Sequence, residues 1–366
     1  MKILIAPDSF KGSLSAVRFC EIAEKTIKEF IPDAQIDCMP VADGGEGTLD
    51  CLKTALNCQI MKCFVQNSLY EEEVCSVGFI DKGKTAIIEA AQSNGLPQIK
   101  GRENPELTST YGVGQLAGFA CDMGAKKIIL TLGGSSTNDC GLGFMAALGG
   151  CFYNKDGVSF VPTGGTLKDV AEIDLSMMYP RLQGARFEAL CDVDNPLYGE
   201  NGCSAVFGPQ KGADPEMVKR LDEGCRHIAD LFNKMRTTDF ALEKGAGAAG
   251  GLGFCVLAGM NGQLKSGIDT ILSICDFESR VKGCDLIITG EGSFDKQSAM
   301  GKTIGGILKG AGKVPVAVFC GKSDGSKACG IKDVVEISKG QELEEAIKNA
   351  EVNLEKAIRE YFTNKF

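Results

Sequence analysis

Asp8, Ser9 and Lys11 fall within four residues of one another, directly after the apolar run Ile3–Ala6. A carboxylate, a hydroxyl and an ammonium so grouped can accept a proton, hold a cation or neutralise an anion. The same build recurs along the chain: an apolar run, then glycine mixed with acid, amide or hydroxyl. It appears as ILIAPDSFKG at 3–12, VADGGEGT at 41–48, IILTLGGSSTND at 128–139, LCDVDNP at 190–196 and LIITGEGSFD at 286–295. Glycine lets backbone approach a ligand closely, and backbone N–H groups at a helix start favour anions. Five such segments point to chemistry on a phosphorylated, metal-bound ligand.

Each segment also has a plainer reading. Asp8 and Ser9 could satisfy backbone donors in a turn, and Asp43 could cap the following helix. Gly133, Gly134, Ser135, Ser136 and Thr137 look most like a phosphate cradle, although no lysine stands at the P-loop spacing. Asp192 and Asp194 alternate along an extended chain, so both could reach one cation. Gly290, Glu291, Gly292 and Asp295, with Gln297 nearby, repeat the acid-in-glycine theme, and Lys211 in FGPQKG could reach an anion or stand in solvent. GAGAAG at 245–250 matches a dinucleotide fingerprint, but no clear strand precedes it, so a closely packed glycine stretch opening a helix is preferred. His227 is the only histidine and lies in a helical pattern, where a structural role is expected.

The elements that must carry these residues alternate. A strand at Lys2–Ala6, a helix at Ala16–Phe30, a strand at Gln35–Met39 and a helix at Gly47–Leu56 open the chain. Apolar Val17, Cys20, Ala23, Ile27 and Phe30 give the first helix its spacing. Strands at Asp285–Thr289, Val314–Phe319 and Asp333–Ile337, with helices at Lys302–Ala311 and Glu342–Phe362, close it. Between them, strands at Gln59–Gln66, Glu73–Phe79 and Thr85–Glu89 leave no room for crossovers and should pair partly antiparallel. A helix at Tyr111–Met123, a strand at Lys127–Leu132, a helix at Gly141–Leu148 and a strand at Arg186–Asp192 follow. Asp214 and Pro215 then open a helix to about Met235.

The expected architecture is α/β in two domains. A Rossmann- or flavodoxin-like doubly wound domain is built from both chain ends, 1–60 plus 270–366, with a mixed-sheet α/β domain at 61–269 inserted and the active site expected in the inter-domain cleft.

Composition bounds the partners. With 366 residues and a net charge of −9, the chain suits neither one small core nor a nucleic-acid partner. No apolar stretch approaches a membrane span, and no signal-peptide pattern opens the chain. The 17 cysteines lie mostly in apolar strings without C-x-x-C pairs, so buried reduced thiols in a cytoplasmic protein are expected. A monomer or small homo-oligomer is expected.

Taken together the motifs closely resemble the glycerate kinase family of bacterial type. The resemblance runs through IAPDSFKGSLSA at 5–16, PVADGGEGT at 40–48, TSTYGVGQL at 108–116, LGGSSTNDCGLG at 132–143, CDVDNPLYG at 191–199, VFGPQKGADPEMV at 206–218, GAAGGLG at 247–253 and ITGEGSFDKQS at 288–298. Departures are minor: Cys140 stands where the family often has glycine, and the C-terminal end is short. The resemblance implies ATP- and Mg²⁺-dependent phosphorylation of D-glycerate, generally to 2-phosphoglycerate, although 3-phosphoglycerate is the product in some descriptions.

On that reading ATP phosphates lie on Gly133–Thr137 and on Gly290, Glu291 and Gly292, while Mg²⁺ is held by Asp192 or Asp194 with Asp295. Lys11 offsets charge, and Asp8 or Asp43 accepts the hydroxyl proton. Ser9, Asp43, Ser109 and Thr110 meet the substrate. The competing classes are an oxidoreductase using the Gly245–Gly250 stretch on a small hydroxy acid, and a non-catalytic sugar-acid sensor.

Overall fold

The computed structural model describes residues 1–45, 47–56, 58–182, 184–236, 238–295, 303–326 and 329–363. The chain divides into two compact units. One comprises Met1–Asp43, Asp50–Cys58 and Gly267–Phe366; the other comprises Gly44–Leu49 and Gln59–Ser266.

The first unit holds a five-stranded parallel sheet in the order Gln35–Cys38, Lys2–Ile5, Leu286–Phe294, Val316–Ser323, Ile331–Glu336. Counted along the chain this is the order 2-1-3-4-5, which reverses direction between Lys2–Ile5 and Leu286–Phe294. The central strands are unbroken apolar runs because both sheet faces are covered: Ile3, Leu4, Ile5, Ile287, Ile288, Val318 and Phe319 are all fully buried. Helices Ala16–Phe30 and Ala350–Thr363 pack over one face, joining Phe19, Ala23, Ile27, Leu354, Ile358 and Phe362 to Ile3, Ile5, Ile288 and Phe319. Ser15 caps the first helix by accepting from the Arg18 N–H at 3.1 Å. That helix buries Phe19 and Ile22 besides the expected Cys20, Ala23 and Ile27, and leaves Phe30 partly exposed.

Two expectations are corrected here. The third strand does not stop at Thr289 but stays in register through Phe294, pairing Glu291 with Cys320 and Ser293 with Lys322. Gly290 is therefore a sheet residue, and a Cβ there would collide with the Phe319 carbonyl and the Phe19 ring. The single helix expected at Glu342–Phe362 is two, Leu343–Lys348 and Ala350–Thr363, separated at Asn349. Only the second has an inward face, and Leu343 is 74% exposed.

The second unit is built on a six-stranded mixed sheet. Gln263–Lys265, Arg186–Leu190, Lys127–Thr131 and Thr85–Glu89 run parallel, and Glu72–Ile80 and Gln59–Gln66 extend the sheet antiparallel. The antiparallel pairing anticipated for the hairpin region is present. Helix Tyr111–Asp122 lies on this sheet, and Val113, Leu116, Ile128, Leu130, Phe144, Phe187, Phe232 and Phe254 belong to its core. Helix Pro215–Met235 starts where expected, with Asp214 Oδ1 accepting from the N–H groups of Glu216 and Met217 at 2.9 and 2.8 Å. A small antiparallel sheet, Ser159–Phe160, Cys151–Tyr153 and Glu172–Asp174, was not anticipated.

Candidate active site

In the first unit the expected residues gather where the strand order reverses, the place an open parallel sheet offers to a ligand. The Ala6 and Asp8 N–H groups donate to the Ile288 and Gly290 carbonyls, each at 2.8 Å, so Asp8 extends the strand tip beside Gly290. Asp8 Oδ1 accepts from the Ser9 N–H at 2.6 Å, and Oδ2 accepts from Thr303 Oγ1 at 2.5 Å. Burial raises the Asp8 pKa above its usual value, opposed first by the Thr303 hydrogen bond. The Asp43 charge raises it further, while the Ser9 N–H and the Lys11 charge pull it down. Asp8, Asp43 and Lys11 thus share one electrostatic neighbourhood, and Lys11 is exposed at the tip of the Phe10–Leu14 turn. Gly292 packs on that turn, its missing Cβ leaving 3.5 Å to Phe10 Cα. Glu291 is 8% exposed, and Asp295 just beyond the strand is half-buried.

In the second unit the Gly133–Asp139 loop follows strand Lys127–Thr131. Gly133 and Gly134 are exposed, and Gly134 has a positive φ of 76° that suits glycine. Gly45 of the VADGGEGT segment lies against this tip, where a Cβ on Gly133 would come within 3.1 Å of Gly45 Cα. Buried Glu89 supports the segment by accepting from the Leu49 N–H at 2.6 Å. Glu46 and Gln297 lie outside the described residues.

Beyond the tip, the loop's polar side chains turn inward. Ser136 Oγ donates to the Asn94 carbonyl at 2.8 Å and is 3.1 Å from Ser68 Oγ. Thr137 Oγ1 accepts from Asn94 Nδ2 at 3.2 Å. Lys211 is 2% exposed and donates to the Thr137 carbonyl at 2.6 Å and to Ser135 Oγ at 3.2 Å. Burial pushes its pKa down to about 8. Asp139, fully buried, anchors the far end: it accepts from Thr110 N–H at 2.7 Å, Thr110 Oγ1 at 2.8 Å, Ser109 Oγ at 3.4 Å, and the Gly141 and Gly143 N–H groups at 3.1 and 3.2 Å. Desolvation raises its pKa, and the hydrogen bonds from Thr110, Gly141 and Gly143 oppose the shift.

The three hydroxyls expected to converge on a phosphate, and the Ser109–Thr110 pair expected to meet substrate, are therefore buried and bonded within the protein. The face this loop offers is the Gly133–Gly134 backbone, while Lys211 bonds the loop from its buried side at Ser135 and Thr137. Sequence reasoning gave Glu89 and Asp139 no role. For Asp139 the available signal was its position closing a motif already singled out.

Asp192 and Asp194 are exposed, because strand Arg186–Leu190 ends before them and leaves both on the following loop. Asp194 pairs with Lys244 at 2.8 Å, both side chains well exposed. Among the described residues no three His, Cys, Asp or Glu side chains form a ready metal cage. The exposed Asp192 and Asp194 carboxylates are of the oxygen-donor type that Mg²⁺ takes alongside substrate phosphates. GAGAAG has no strand before it: Phe240–Lys244 is irregular and the glycines run into helix Ala248–Phe254. His227 bonds the Val170 carbonyl at 2.6 Å within the second unit.

Comparison with known proteins adds to this geometry. The sequence model of the Glycerate kinase family matches residues 3–364. A Bacillus subtilis (strain 168) protein named glycerate kinase is 44% identical, the alignment covering 98% of this chain and 96% of that one. An Escherichia coli (strain K12) protein named glycerate 2-kinase is 41% identical, over 86% of this chain and 82% of its own. A crystal structure from Salmonella typhimurium LT2, bearing glycerate kinase 2 as a provisional name, superposes with a TM-score of 0.87 at 36% identity, covering 100% of this chain and 98% of that chain.

Proposed function

The chain belongs to the glycerate kinase family, whose members use ATP, and we propose that it transfers the γ-phosphoryl group to D-glycerate to give 2-phosphoglycerate with Mg²⁺ as cofactor. The observation carrying this reading is the family match from residue 3 to residue 364, which spans both the Asp8 cluster and the Gly133–Asp139 loop. The 2-phosphate rests on the name of the Escherichia coli relative.

Phosphoryl transfer asks a protein for alignment and charge neutralisation more than for covalent chemistry. Asp8 takes the proton of the attacking hydroxyl. Burial and the Asp43 charge make its carboxylate more basic, and Thr303 holds one oxygen in place so that the other lone pairs stay directed. Lys11 neutralises negative charge as the phosphoryl group moves. Ser9 and Asp43 orient the hydroxy acid. The Gly133–Gly134 backbone and the Gly290–Gly292 segment receive the nucleotide's phosphates. Asp192 or Asp194 would hold Mg²⁺ with Asp295, and the ion would supply charge neutralisation across the phosphate oxygens. Giving up the Lys244 pair costs Asp194 little, because water screens two such exposed charges.

Incubation with ATP, Mg²⁺ and D-glycerate tests the proposal. ADP release that requires glycerate supports it, and ³¹P NMR of the product assigns the phosphorylated carbon. ADP release indifferent to glycerate, or none, ends it.

A further inference from the structure

Charged side chains are rarely buried without a partner of opposite sign, because a desolvated ion left alone is costly. Lys211 departs from this rule. It is 2% exposed, and among the described residues no carboxylate lies within ion-pair range of its Nζ. Its contacts are the Thr137 carbonyl and Ser135 Oγ, two groups of one loop. The turn Pro209–Lys211 that delivers it ends at Gly212, whose φ of 92° and close approach to the Glu103 carbonyl require glycine, so the backbone aims the side chain in one direction.

We propose that Lys211 is the fixed positive pole of an oxyanion subsite on the Gly133–Thr137 loop, acting as a positioning residue through Ser135 and Thr137. This rests on the reading above that the loop serves phosphoryl transfer. The buried Asp139 carboxylate acts on the ammonium without a direct ion pair, and the paired counter-charge comes with the substrate: a phosphate of the nucleotide or the carboxylate of the hydroxy acid, seated over the exposed Gly133–Gly134 backbone. The two hydrogen bonds keep the inner side of the loop fixed. The charge on the buried side strengthens the loop's affinity for negative ligands, as in other sites where backbone and cation act together.

A proton linkage follows. Burial holds the Lys211 pKa near 8, while the Asp139 carboxylate opposes the shift. The Cys203 and Cys225 thiols are themselves pushed well above their usual value and stay protonated near pH 8. An anion bound over the loop draws the lysine pKa up, so binding near pH 8 takes up protons.

Calorimetric titration of the full chain at that pH, in two buffers of different ionisation enthalpy, reads this uptake. ATP with Mg²⁺ and D-glycerate are titrated separately. Uptake with one ligand identifies the source of the anion. The Lys211→Met variant is expected to lose the uptake and bind that ligand about tenfold or more weakly. Lys211→Arg, always charged, is expected to bind without uptake. No uptake with either ligand in the unmodified protein, or unchanged uptake in Lys211→Met, overturns the proposal. The wild-type titration needs no variant to fold. A protein that takes up protons with ATP yet fails to phosphorylate glycerate would sink the kinase reading alone.

Discussion

Thr303 Oγ1 donates to Asp8 Oδ2 at 2.5 Å across 295 positions of sequence. Thr303 is fully buried and opens helix Thr303–Ala311. The hydroxyl thus links the first strand's tip to a helix that follows the third strand. It also opposes the rise that burial imposes on the Asp8 pKa.

The contact yields a pair of opposite pH shifts. A base works above its pKa, so the acid limb of log kcat/KM follows Asp8. Thr303→Val removes a lowering influence and should move that limb to higher pH, by up to about one unit. Asp43→Asn removes a like charge and should move it lower, while also reducing turnover severely if Asp43 orients the substrate. Rate profiles of the folded variants check both directions. Immobile limbs would exclude Asp8 as the base.

Asp192→Asn should lower turnover at least about tenfold, and Asp194→Asn less, because Asp194 already shares its charge with Lys244. Both residues are exposed on a loop, so thermal stability should change little. Kinetics across a Mg²⁺ titration separate a lost ligand, which raises the requirement for the ion, from a lost substrate contact. Near-normal rates in Asp192→Asn remove that residue from the scheme.

Lys211→Met should stabilise the ligand-free protein at neutral pH. The folded lysine titrates near 8, below its ordinary 10.5, so the unfolded chain binds more protons between those values. The penalty is therefore present in full below pH 8 and is relieved as pH rises toward 10.5; the gap corresponds to about 3 kcal/mol. Loss of the Ser135 and Thr137 hydrogen bonds offsets part of this, leaving a net gain of about 1–2 kcal/mol. Denaturant unfolding at pH 7 measures it, and a clear loss of stability would contradict a net cost of burying this charge.

Asp139→Asn should destabilise by about 2–4 kcal/mol, since an amide cannot accept all the bonds that Thr110, Ser109, Gly141 and Gly143 donate. Asp139→Asn also tests whether the anchor is structural: activity per folded molecule should fall only as far as the loop loosens. Thermal unfolding followed by circular dichroism provides the measurement.

Legibility varied with the physics. Helix Ala16–Phe30 and the strands Gln59–Gln66 and Thr85–Glu89 have the bounds their apolar spacing indicated, since periodicity reports burial directly. The small sheet at Cys151–Asp174 escaped notice because strands of two or three residues are too short to alternate. Leu343 and Ile347 kept helical spacing with the residues of Ala350–Thr363, yet spacing carries no information about where a helix breaks. Glycine was the most ambiguous letter. Gly134 adopts a positive φ at an exposed tip, whereas Gly290 exists to let Phe19 and the Phe319 backbone close over a strand. The site's residues were legible as types, but their directions were not. Ser109, Thr110, Ser136 and Thr137 face inward because Asp139 and Asn94, distant in sequence, hold them there. Lys211 was visible in its motif, and only the fold distinguishes a solvated lysine from a buried one.

Strand Lys2–Ile5 leaves the ribosome long before one of its two neighbours, Leu286–Phe294. Throughout that interval an apolar strand waits with one edge unpaired, while the second unit can already assemble. Production of this protein should accordingly depend on whatever shields that edge during translation: slower synthesis lengthens the exposure, and a holding chaperone shortens its consequences.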